Sequence, residues 1–506
     1  MPEETELKLS VRPEHAARIK RHPLVQKLKS GSPQTKRLVG TYYDTPDHLL
    51  NRRDLSLRVR DVDQRHVQTL KRMGPAGEAV FRRDEWEQDV NGRVPNLDAI
   101  EDEGIRQMFA ETGAATSLRP MFQTDVQRTT WMLRDSRAEV ELALDIGEIR
   151  SEKGGRTPIC EAELELKSGD FRRLFDIALA LNERVDCTVG SLTKSQRGYA
   201  LCREEPTAAA KAAPLALSRD ATVWEAFVAI CRSCFAHLEA NDPIARSGMD
   251  PEGIHQARVA IRRLRAAFKV FKPVLPDDRR KRFAAEFRWL QKQLGDARDL
   301  DVFSAEMLVP LMARLPKDPA LRELKTRVER ARQKAYGTAS KALRSGRYGR
   351  IRLEIEQWFA EPPQAEDDAP LARSVRWFAK RSIRKAHDKV IAFGDDPLAL
   401  TSAELHALRI RGKQARYCID FFSSLFPERA LRRHAKALAT LQDCLGALND
   451  GVVARRLLQR FDSRASPLDP CVAPYVQGWF AARVHDEHGR LRKIWARLTA
   501  VEPYWN

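Results

Sequence analysis

Short segments in the first 170 residues alternate charged and apolar side chains with a period of two. One such segment reads E-T-E-L-K at residues 4–8, and in another Glu161, Glu163 and Glu165 alternate with apolar residues. Successive side chains of a β-strand point to opposite faces, so each segment predicts a strand with one apolar and one charged face. A sheet of such strands either leaves its charged face in water or encloses it.

The distribution of like charges favours an enclosed face. Acidic residues group on some strands, and basic residues such as Arg58, Arg60 and Lys71 group on others. Like charges side by side repel one another unless an opposite charge lies between them. Carboxylate oxygens suit hard cations such as Mg²⁺ or Mn²⁺, and arginine and lysine suit phosphate oxygens. We therefore predict a closed antiparallel sheet, apolar outside under helices, whose charged interior is a tunnel for a metal-bound polyphosphate chain.

Two common catalytic motifs are absent from the sequence. It contains no glycine-rich phosphate loop of the type G-x-x-x-x-G-K-[ST] and no nucleophile elbow of the type G-x-S-x-G. Phosphoryl transfer depends mainly on positioning and charge neutralisation, with a metal ion lowering the pKa of an attacking water. We expect a metal-assisted reaction without a protein nucleophile.

The stretch 204–217 separates two parts of different character. It is rich in alanine, contains two prolines and has no hydrophobic periodicity, which predicts a linker. Short alternating segments precede it and indicate strands with a few helices, whereas apolar residues recur every three to four positions after it and indicate helices. The first 200 residues hold 33 basic and 33 acidic residues, so the formal charge of +18 belongs to the remainder. Only that part is expected to attract a polyanion.

The helical part contains an internal repeat. The pattern H-x-x-R-x-x-x-[RK]-x-x-R occurs at 255–265 and 406–416, and the pattern L-Q-x-x-L-G occurs at 290–295 and 441–446. Both pairs are 151 residues apart. Two unrelated patterns at one separation indicate a duplicated helical unit.

A basic stripe follows one face of the first repeated helix. At 100° per residue, four basic side chains fall within an arc of roughly 80°, namely His255, Arg258, Arg262 and Arg265. The repeat predicts a second stripe at His406, Arg409, Lys413 and Arg416. A solvated surface, ion pairs with neighbouring helices or structural histidines would each explain one stripe. Two stripes favour an anion-binding cleft.

Nucleic acid is the other generic polyanion, and the sequence disfavours it as a ligand. There is no zinc-finger spacing and no aromatic ribonucleoprotein motif. Aromatic residues make up 7% of the chain and do not interleave with the basic stripes, as a base-stacking platform requires.

Cysteine use and hydropathy indicate the compartment. The 8 cysteines form no dense framework, which is typical of reduced thiols. No apolar run is long enough to span a bilayer, and the acidic start is unlike a secretion signal. We expect a cytoplasmic protein that does not enter a membrane.

A series of motifs runs through the first part in a fixed order. They are E-x-E-x-K at 4–8, Y-Y-D-T-P at 42–46, L-R-V-R at 57–60, T-L-K at 69–71, E-A-E-L-E-L-K-S-G at 161–169 and S-L-T-K-S-Q-R-G-Y at 191–199. In this order they resemble the CYTH domain of the triphosphate tunnel metalloenzymes, over residues 1–203. The resemblance implies an eight-stranded antiparallel tunnel with flanking helices that binds inorganic triphosphate with two divalent ions, Mg²⁺ or Mn²⁺.

The resemblance assigns roles to residues at matching positions. The metal-ligating candidates are Glu4, Glu6, Asp145, Glu161, Glu163 and Glu165. The triphosphate-binding candidates are Lys8, Arg58, Arg60, Lys71, Arg128, Lys194 and Arg197. The residues expected to act in catalysis are Glu4, Glu6, Lys8 and Asp145, the last near the metal or the attacking water. Further residues expected to line the tunnel are Glu85, Glu87, Glu139 and Glu141.

The helical part resembles the CHAD domain through its histidine and arginine pattern and its L-Q-x-x-L-G motifs, over residues 218–500. The resemblance implies an all-α domain of two pseudo-symmetric four-helix bundles, 218–360 and 371–500, around a basic pore that binds inorganic polyphosphate. The two stripes would supply the polyphosphate-binding residues. The second bundle departs from the first at Lys413, which stands where Arg262 stands and lacks its planar two-pronged grip, and at Ala447, which stands where Asp296 stands.

These features together predict an α+β protein of two domains. The first would hydrolyse tripolyphosphate to pyrophosphate and phosphate, and the second would bind polyphosphate, with association with polyphosphate granules as a further expectation. Two alternatives remain open: turnover of another triphosphate, such as thiamine triphosphate or a nucleoside triphosphate, including ATP cyclisation, and a non-catalytic polyphosphate-binding scaffold. The intact E-x-E-x-K motif and glutamate strand argue against loss of turnover.

Overall fold

The structure is a computed structural model that describes residues 3–62, 65–72, 78–190, 192–203, 208–361, 370–462 and 467–505. It divides into two compact units, Met1–Ala208 with Arg344–Glu361 and Ala209–Leu343 with Pro362–Asn506. Within the predicted linker, residues 204–207 lie outside the described residues, and 208–217 form no helix or strand. Residues 344–361 group with the first unit, although most of them lie within the predicted helical bundle 218–360.

One antiparallel sheet dominates the first unit. Within the described residues it has nine strands: β1 Glu3–Val11, β2 Lys29–Asp44, β3 Leu55–Val62, β4 Arg65–Arg72, β5 Val80–Val90, β6 Arg119–Arg134, β7 Ala138–Ser151, β8 Arg156–Gly169 and β9 Cys187–Val189.

Eight of these strands close into a tunnel. The strand order is β5-β4-β3-β2-β6-β7-β8-β1-β9, and β1 also pairs with β5. Along one edge of β1, residues 3–7 pair with β5 and residues 9–11 pair with β9, while β8 pairs along the other edge. The closure confirms the predicted tunnel, and the short β9 is an additional strand that the sequence analysis did not predict.

The helices surround the sheet or form the second unit. The α-helices of the described residues are α1 Ala16–Lys20, α2 Pro23–Leu28, α3 Leu49–Arg52, α4 Glu103–Thr112, α5 Arg172–Asn182, α6 Lys194–Cys202, α7 Val223–Ser247, α8 Pro251–Val270, α9 Asp277–Gln293, α10 Gly295–Phe303, α11 Val309–Arg314, α12 Pro319–Leu343, α13 Gly346–Phe359, α14 Val375–Ile391, α15 Ser402–Phe422, α16 Glu428–Phe461 and α17 Val472–Thr499.

The apolar faces of the strands pack under helices, as predicted. Leu142 and Leu164 lie in one buried cluster with Phe175 of α5. Leu70 lies in a second buried cluster with Phe109 of α4. Because side chains alternate along a strand, the neighbours of these leucines point into the tunnel. Burial of the apolar face therefore decides which side chains line the interior.

Helix α6 holds Lys194 against the tunnel wall. A capping box starts this helix: Thr193 Oγ1 accepts a hydrogen bond from the Gln196 backbone N–H, and Gln196 Oε1 accepts one from the Thr193 backbone N–H. Gly198 of the same helix lies against the ring of Phe122, where an added Cβ would lie 2.1 Å from a ring atom. This close packing on β6 fixes the start of the helix, and Lys194 is buried there.

Helix α13 completes the first unit, although it lies between helices of the second unit in the sequence. It packs against α5 and β9, and Leu353 joins the same buried cluster as Leu142 and Leu164. An added Cβ on Gly349 would lie 1.9 Å from the carbonyl oxygen of Cys187 in β9. Strand β9 is therefore fixed both by β1 and by this helix.

The second unit consists of α7 to α12 and α14 to α17, and its helix starts repeat. Helix α8 begins at Pro251 and α15 at Ser402, while α9 begins at Asp277 and α16 at Glu428. Each pair of starts is 151 residues apart, the separation of the sequence repeat. The second unit is all-helical, as predicted, and the equal separation of these helix starts is consistent with the predicted duplication. In the described part of the chain, no helix combines the length and apolar character needed to cross a bilayer.

Candidate functional site

The tunnel of the first unit encloses a cavity of about 250 Å³. Each of the eight strands that close the tunnel contributes at least one lining residue, and so does the start of α6. Most of the lining side chains are charged. The charged strand faces thus turn inward, as the sequence predicted.

Three carboxylates form an acidic cluster in the tunnel wall, Asp145 of β7 with Glu161 and Glu163 of β8. One oxygen of each lies within 4.8 Å of the others. Asp145 faces Glu161 in the strand register, and Glu163, two residues further along β8, shares the face of Glu161. Asp145 is fully buried and Glu161 is 3% exposed. Three carboxylate oxygens at this spacing suit a hard divalent cation.

The ammonium group of Lys194 lies among these three carboxylates. Its Nζ is 2.7 Å from Asp145 Oδ2, 2.5 Å from Glu161 Oε1 and 2.8 Å from Glu163 Oε1. Burial acts to lower the pKa of Lys194, but the three carboxylates outweigh burial and raise the pKa. Lys194 is therefore a buried cation.

Two further cations neutralise the same cluster. Lys8 Nζ lies 3.0 Å from Glu163 Oε1 and 3.3 Å from Glu6 Oε1. Arg128 donates from Nε and Nη2 to the two oxygens of Asp145, at 2.7 and 2.6 Å, and Nη2 also donates to Glu163. Burial acts to raise the pKa of Glu163, but the surrounding cations outweigh burial and hold the pKa well below its ordinary value. This carboxylate is therefore ionised.

Another part of the cavity is basic and incompletely neutralised. Lys71 Nζ lies 2.6 Å from Glu85 Oε2. Arg60 also lines the cavity, and among the described residues it has no carboxylate within ion-pair distance. Burial, together with the nearby cations of Arg58 and Arg128, lowers the pKa of Arg60 to about 10. An anion bound beside Arg60 would relieve this repulsion.

In the second unit, the two basic stripes lie on helices that contact each other. Helices α8 and α15 are in contact, and Arg262 Nε on α8 donates to the Tyr417 hydroxyl on α15 at 3.3 Å. Burial, together with the cations of Arg409 and Arg262, lowers the pKa of Lys413 to about 7. The like charges of the two stripes therefore destabilise one another.

Two aspartates at equivalent repeat positions partly offset this repulsion. Burial lowers the pKa of Arg258 to about 10, although Asp299 acts to raise it. Burial likewise lowers the pKa of Arg409, although Asp450 acts to raise it. Asp299 follows the first L-Q-x-x-L-G motif and Asp450 follows the second at the equivalent position. The repeated motifs therefore place an acidic residue near each stripe.

Both units match known domain families. The CYTH domain family model matches residues 2–199, and the CHAD domain family model matches residues 229–459. The chain is a two-domain CYTH–CHAD protein.

Two similar proteins represent the two domains. An inorganic triphosphatase of Haemophilus influenzae is 33% identical over 207 residues, which make up 40% of this chain and 55% of the relative. The chain thus spans about half the length of this curated relative. The crystal structure of the CHAD domain from the plant Ricinus communis is 33% identical, and the match covers 58% of this chain and 98% of that chain with a TM-score of 0.50.

Most residues predicted for the CYTH site lie in the one cavity. Those that line it are Glu6, Lys8, Arg58, Arg60, Lys71, Arg128, Glu163, Glu165 and Lys194. Asp145 and Glu161 join them through their contacts with Lys194. Glu4 pairs with Arg83 in the strand register, but its side chain lies outside the described residues.

Two predicted residues differ from the rest in their surroundings. Glu165 shares the inward face of β8, but its Oε1 lies 2.5 Å from Lys167 Nζ and it is not part of the three-carboxylate cluster. Arg197 Nη1 donates to Glu161 Oε2 at 2.9 Å, and Arg197 is not among the described residues that line the cavity. The geometry thus separates Glu161 and Glu163 from Glu165, which alternation alone places on the same face.

Three of the four glutamates predicted to line the tunnel do so in the structure. Glu85, Glu87 and Glu141 line the cavity. Glu139 is not among the described lining residues, and its carboxylate accepts a hydrogen bond from Arg134 Nη2 at 2.7 Å.

Tyr42, Thr193 and Ser195 also line the cavity of the CYTH domain, although they were not predicted from the sequence as site residues. Tyr42 faces Arg58 in the strand register. Burial acts to raise the pKa of Tyr42, but the cations of Arg58 and Lys194 outweigh burial and lower the pKa. Thr193 was recognisable as a helix cap by the glutamine three residues later, whereas the place of Tyr42 required the pairing of distant strands.

The two histidines of the CHAD domain have different surroundings. Burial, together with the cation of Arg298, lowers the pKa of His255 to about 4, so this histidine is neutral at physiological pH. Its equivalent His406 is exposed. The histidines are therefore not equivalent members of the two stripes.

Three arginines of the stripes, Arg258, Arg265 and Arg416, have polar contacts. Arg258 Nη1 donates to the backbone oxygen of Gln291 at 3.2 Å, and Arg265 Nη1 donates to the side-chain oxygen of the same residue at 2.5 Å. Arg416 Nε lies 3.8 Å from Asp420 Oδ2. These contacts orient three guanidinium groups within the CHAD domain.

Proposed function

We propose that the CYTH domain hydrolyses inorganic triphosphate to pyrophosphate and phosphate with divalent metal ions, Mg²⁺ or Mn²⁺. The observation that carries this proposal is one cavity with a basic lining that borders a three-carboxylate cluster, of which Glu163 lines the cavity itself. A hard metal ion requires the carboxylates, and a phosphate chain requires the basic surface. A metal-bound polyphosphate satisfies both.

The side chains of the tunnel have roles that follow from their charge. Asp145, Glu161 and Glu163 would hold a divalent ion, which when bound supplies charge neutralisation and a water of lowered pKa. Arg58 and Arg60 would bind phosphate oxygens and orient the chain. Positioning and charge neutralisation account for most of the catalysis of phosphoryl transfer, so no side-chain nucleophile is required.

The cavity suits a small and entirely polar substrate. Its volume of about 250 Å³ is below the roughly 300–1,000 Å³ of typical small-molecule sites. In the described lining, the aromatic residue is Tyr42 and the aliphatic residue is Ala143, and the other lining residues are polar or charged. A thiamine or nucleoside group would require more apolar contact. Similarity to the inorganic triphosphatase of Haemophilus influenzae supports the same choice.

Phosphate release tests this proposal. Tripolyphosphate, thiamine triphosphate and ATP are supplied in parallel with Mg²⁺ or Mn²⁺. We expect turnover of tripolyphosphate that falls by roughly 10²-fold or more in Asp145→Asn. Glu148→Gln is the matched control, because Glu148 lies on the same strand and pairs with Arg150 Nη2 at 2.5 Å outside the tunnel. Equal activity of both variants would refute the assigned site.

The substrate panel also tests the alternatives. Faster turnover of thiamine triphosphate or ATP than of tripolyphosphate would show that inorganic triphosphate is not the preferred substrate. No turnover of any of the three, with polyphosphate still bound, would favour the non-catalytic scaffold.

We further propose that the CHAD domain binds inorganic polyphosphate at the interface of α8 and α15. The supporting observation is the closeness of three cations at this interface: burial, together with the cations of Arg409 and Arg262, lowers the pKa of Lys413 to about 7. A polyanion would relieve that repulsion by lying along the two stripes. Long polyphosphate has the required charge density, and base stacking, which nucleic acids use, has no aromatic platform in the stripes.

Competition binding tests this second proposal. Labelled polyphosphate is bound by the full chain at fixed salt, and either unlabelled polyphosphate or DNA is added. We expect polyphosphate to compete better, and Arg262→Met with Arg409→Met to weaken binding more than Arg322→Met with Arg330→Met, two exposed arginines of α12. Equal weakening by the two double variants would show that net charge alone governs binding.

A further inference from the structure

The position of Lys194 relative to the acidic cluster has a consequence for metal binding. Its ammonium nitrogen lies 2.5 to 2.8 Å from one oxygen each of Asp145, Glu161 and Glu163. The same three residues form the candidate metal cluster of the described chain. The cation position of the site is therefore filled by a side chain of the protein itself.

We infer that Lys194 is an internal competitor of the divalent ion, which leaves the three carboxylates when the ion binds and moves toward the phosphate chain. This inference rests on the proposed function, because it takes the carboxylate cluster as the place of the ion. Competition by Lys194 makes metal binding weak in the absence of triphosphate and strong in its presence.

The competition follows from the shared oxygens. Mg²⁺ binds carboxylate oxygens at about 2.0–2.1 Å. An ion at that distance from oxygens that also touch the Lys194 ammonium would lie within a few Å of a like charge, in a buried site where water screens little. The ion and the ammonium group therefore exclude each other from the cluster.

Lys194 is able to move, whereas its neighbour Arg128 is held. Arg128 is fixed by two hydrogen bonds to Asp145 from a planar guanidinium group. The Lys194 backbone is fixed at the start of α6, but its ammonium group sits on a flexible four-carbon stem. The cavity is adjacent, because Lys194 itself lines it together with Thr193 and Ser195. A phosphate chain there would give the displaced ammonium a new partner.

Lys8 provides a matched comparison. It is buried like Lys194, and its Nζ lies 3.0 Å from Glu163 and 3.8 Å from Glu161. Removing it takes the same charge from the same network. Only Lys194 of the two is in contact with all three carboxylates of the cluster, including Asp145. Comparing the two variants therefore separates the effect of the position of Lys194 on metal affinity from the effect of removing one positive charge.

Calorimetric titration with MnCl₂ alone, without triphosphate, tests the inference on the full chain. We expect Lys194→Met to bind Mn²⁺ about tenfold or more tightly than wild type, and Lys8→Met to show a clearly smaller gain. Unchanged affinity in Lys194→Met would overturn the inference. Equal gains in the two variants would also overturn it, because they would show a general effect of charge.

A measurement on the wild-type chain keeps the inference testable if Lys194→Met does not fold. Lysines are labelled by reductive methylation and quantified by mass spectrometry, with exposed Lys36 as the internal reference. We expect labelling of Lys194 to be low without metal and to rise several-fold at saturating Mg²⁺. Constant labelling at saturating Mg²⁺ would overturn the inference. Neither readout uses hydrolysis, so a chain that shows the competition without turnover would refute the proposed function alone.

Discussion

Replacing Gly349 with alanine should destabilise the first unit. Gly349 lies on α13, and its close approach to β9 leaves no space for a side chain. An added Cβ would lie 1.9 Å from the Cys187 carbonyl oxygen, whereas real Cβ contacts are essentially never shorter than 3.0 Å. The helix must therefore retreat by at least 1.1 Å from a backbone atom that has little freedom to move.

The expected change in stability combines one favourable and two unfavourable contributions. Alanine in place of glycine gains about 1 kcal/mol in a helix. Overpacking costs about 1–3 kcal/mol, and the upper value applies because the contact is with backbone. A gap of about 1 Å also forfeits up to about half of the dispersion energy between the separated surfaces. We expect a net loss of about 2 kcal/mol, which for a unit of this size lowers Tm by about 4–8 °C.

Differential scanning calorimetry of the full chain measures this loss. Hydrogen exchange in β9 and α13 shows which unit is affected. The matched control is Gly337→Ala on α12, where an added Cβ meets no heavy atom within 4 Å. This control should be stabilised by about 0.5–1 kcal/mol. If Gly349→Ala kept or raised the Tm as the control does, the inferred close packing of α13 on β9 would be wrong.

Three further predictions concern the two proposed sites. Glu163→Gln removes a carboxylate that contacts Lys8, Lys194 and Arg128, so phosphate release should fall roughly 10²-fold or more; activity within a few-fold of wild type would contradict its role. Chelation with EDTA should abolish phosphate release and added Mg²⁺ or Mn²⁺ should restore it, whereas turnover that persists in EDTA would exclude metal dependence. A bound polyanion favours the charged form of Lys413, so polyphosphate binding takes up protons, and affinity should fall as pH rises through its pKa of about 7. Lys413→Arg stays charged and should show a flatter affinity profile in titrations between about pH 6 and 8; identical profiles would refute this assignment.

Period-two alternation was sufficient to predict several of the strands and their inward faces. A strand such as β8 displays Glu161, Glu163 and Glu165 on one side and apolar residues on the other, and the apolar side has only one favourable place, under the helices. The inward direction of the charges therefore follows from local sequence and burial. The repeated helix starts follow in the same way from a repeated pattern.

Alternation was not sufficient to distinguish members of one strand face. Glu161 and Glu163 meet Asp145 in a cluster, while Glu165 lies beside Lys167. The distinction depends on which residues of the neighbouring strands lie opposite, and that register is a long-range property. Tyr42 was missed for the same reason, since its neighbour Arg58 lies on another strand.

The sequence by itself indicated the two-part organisation, the charged strand faces and the helical duplication, because each can be recognised in short sequence patterns without knowing which distant segments meet. Only the tertiary structure placed Lys194 among carboxylates that lie at least 31 residues earlier in the chain, and only it assigned α13 to the first unit. Closure of the sheet and burial of apolar surface decide which distant segments meet, and these depend on the whole packed unit rather than on any local pattern.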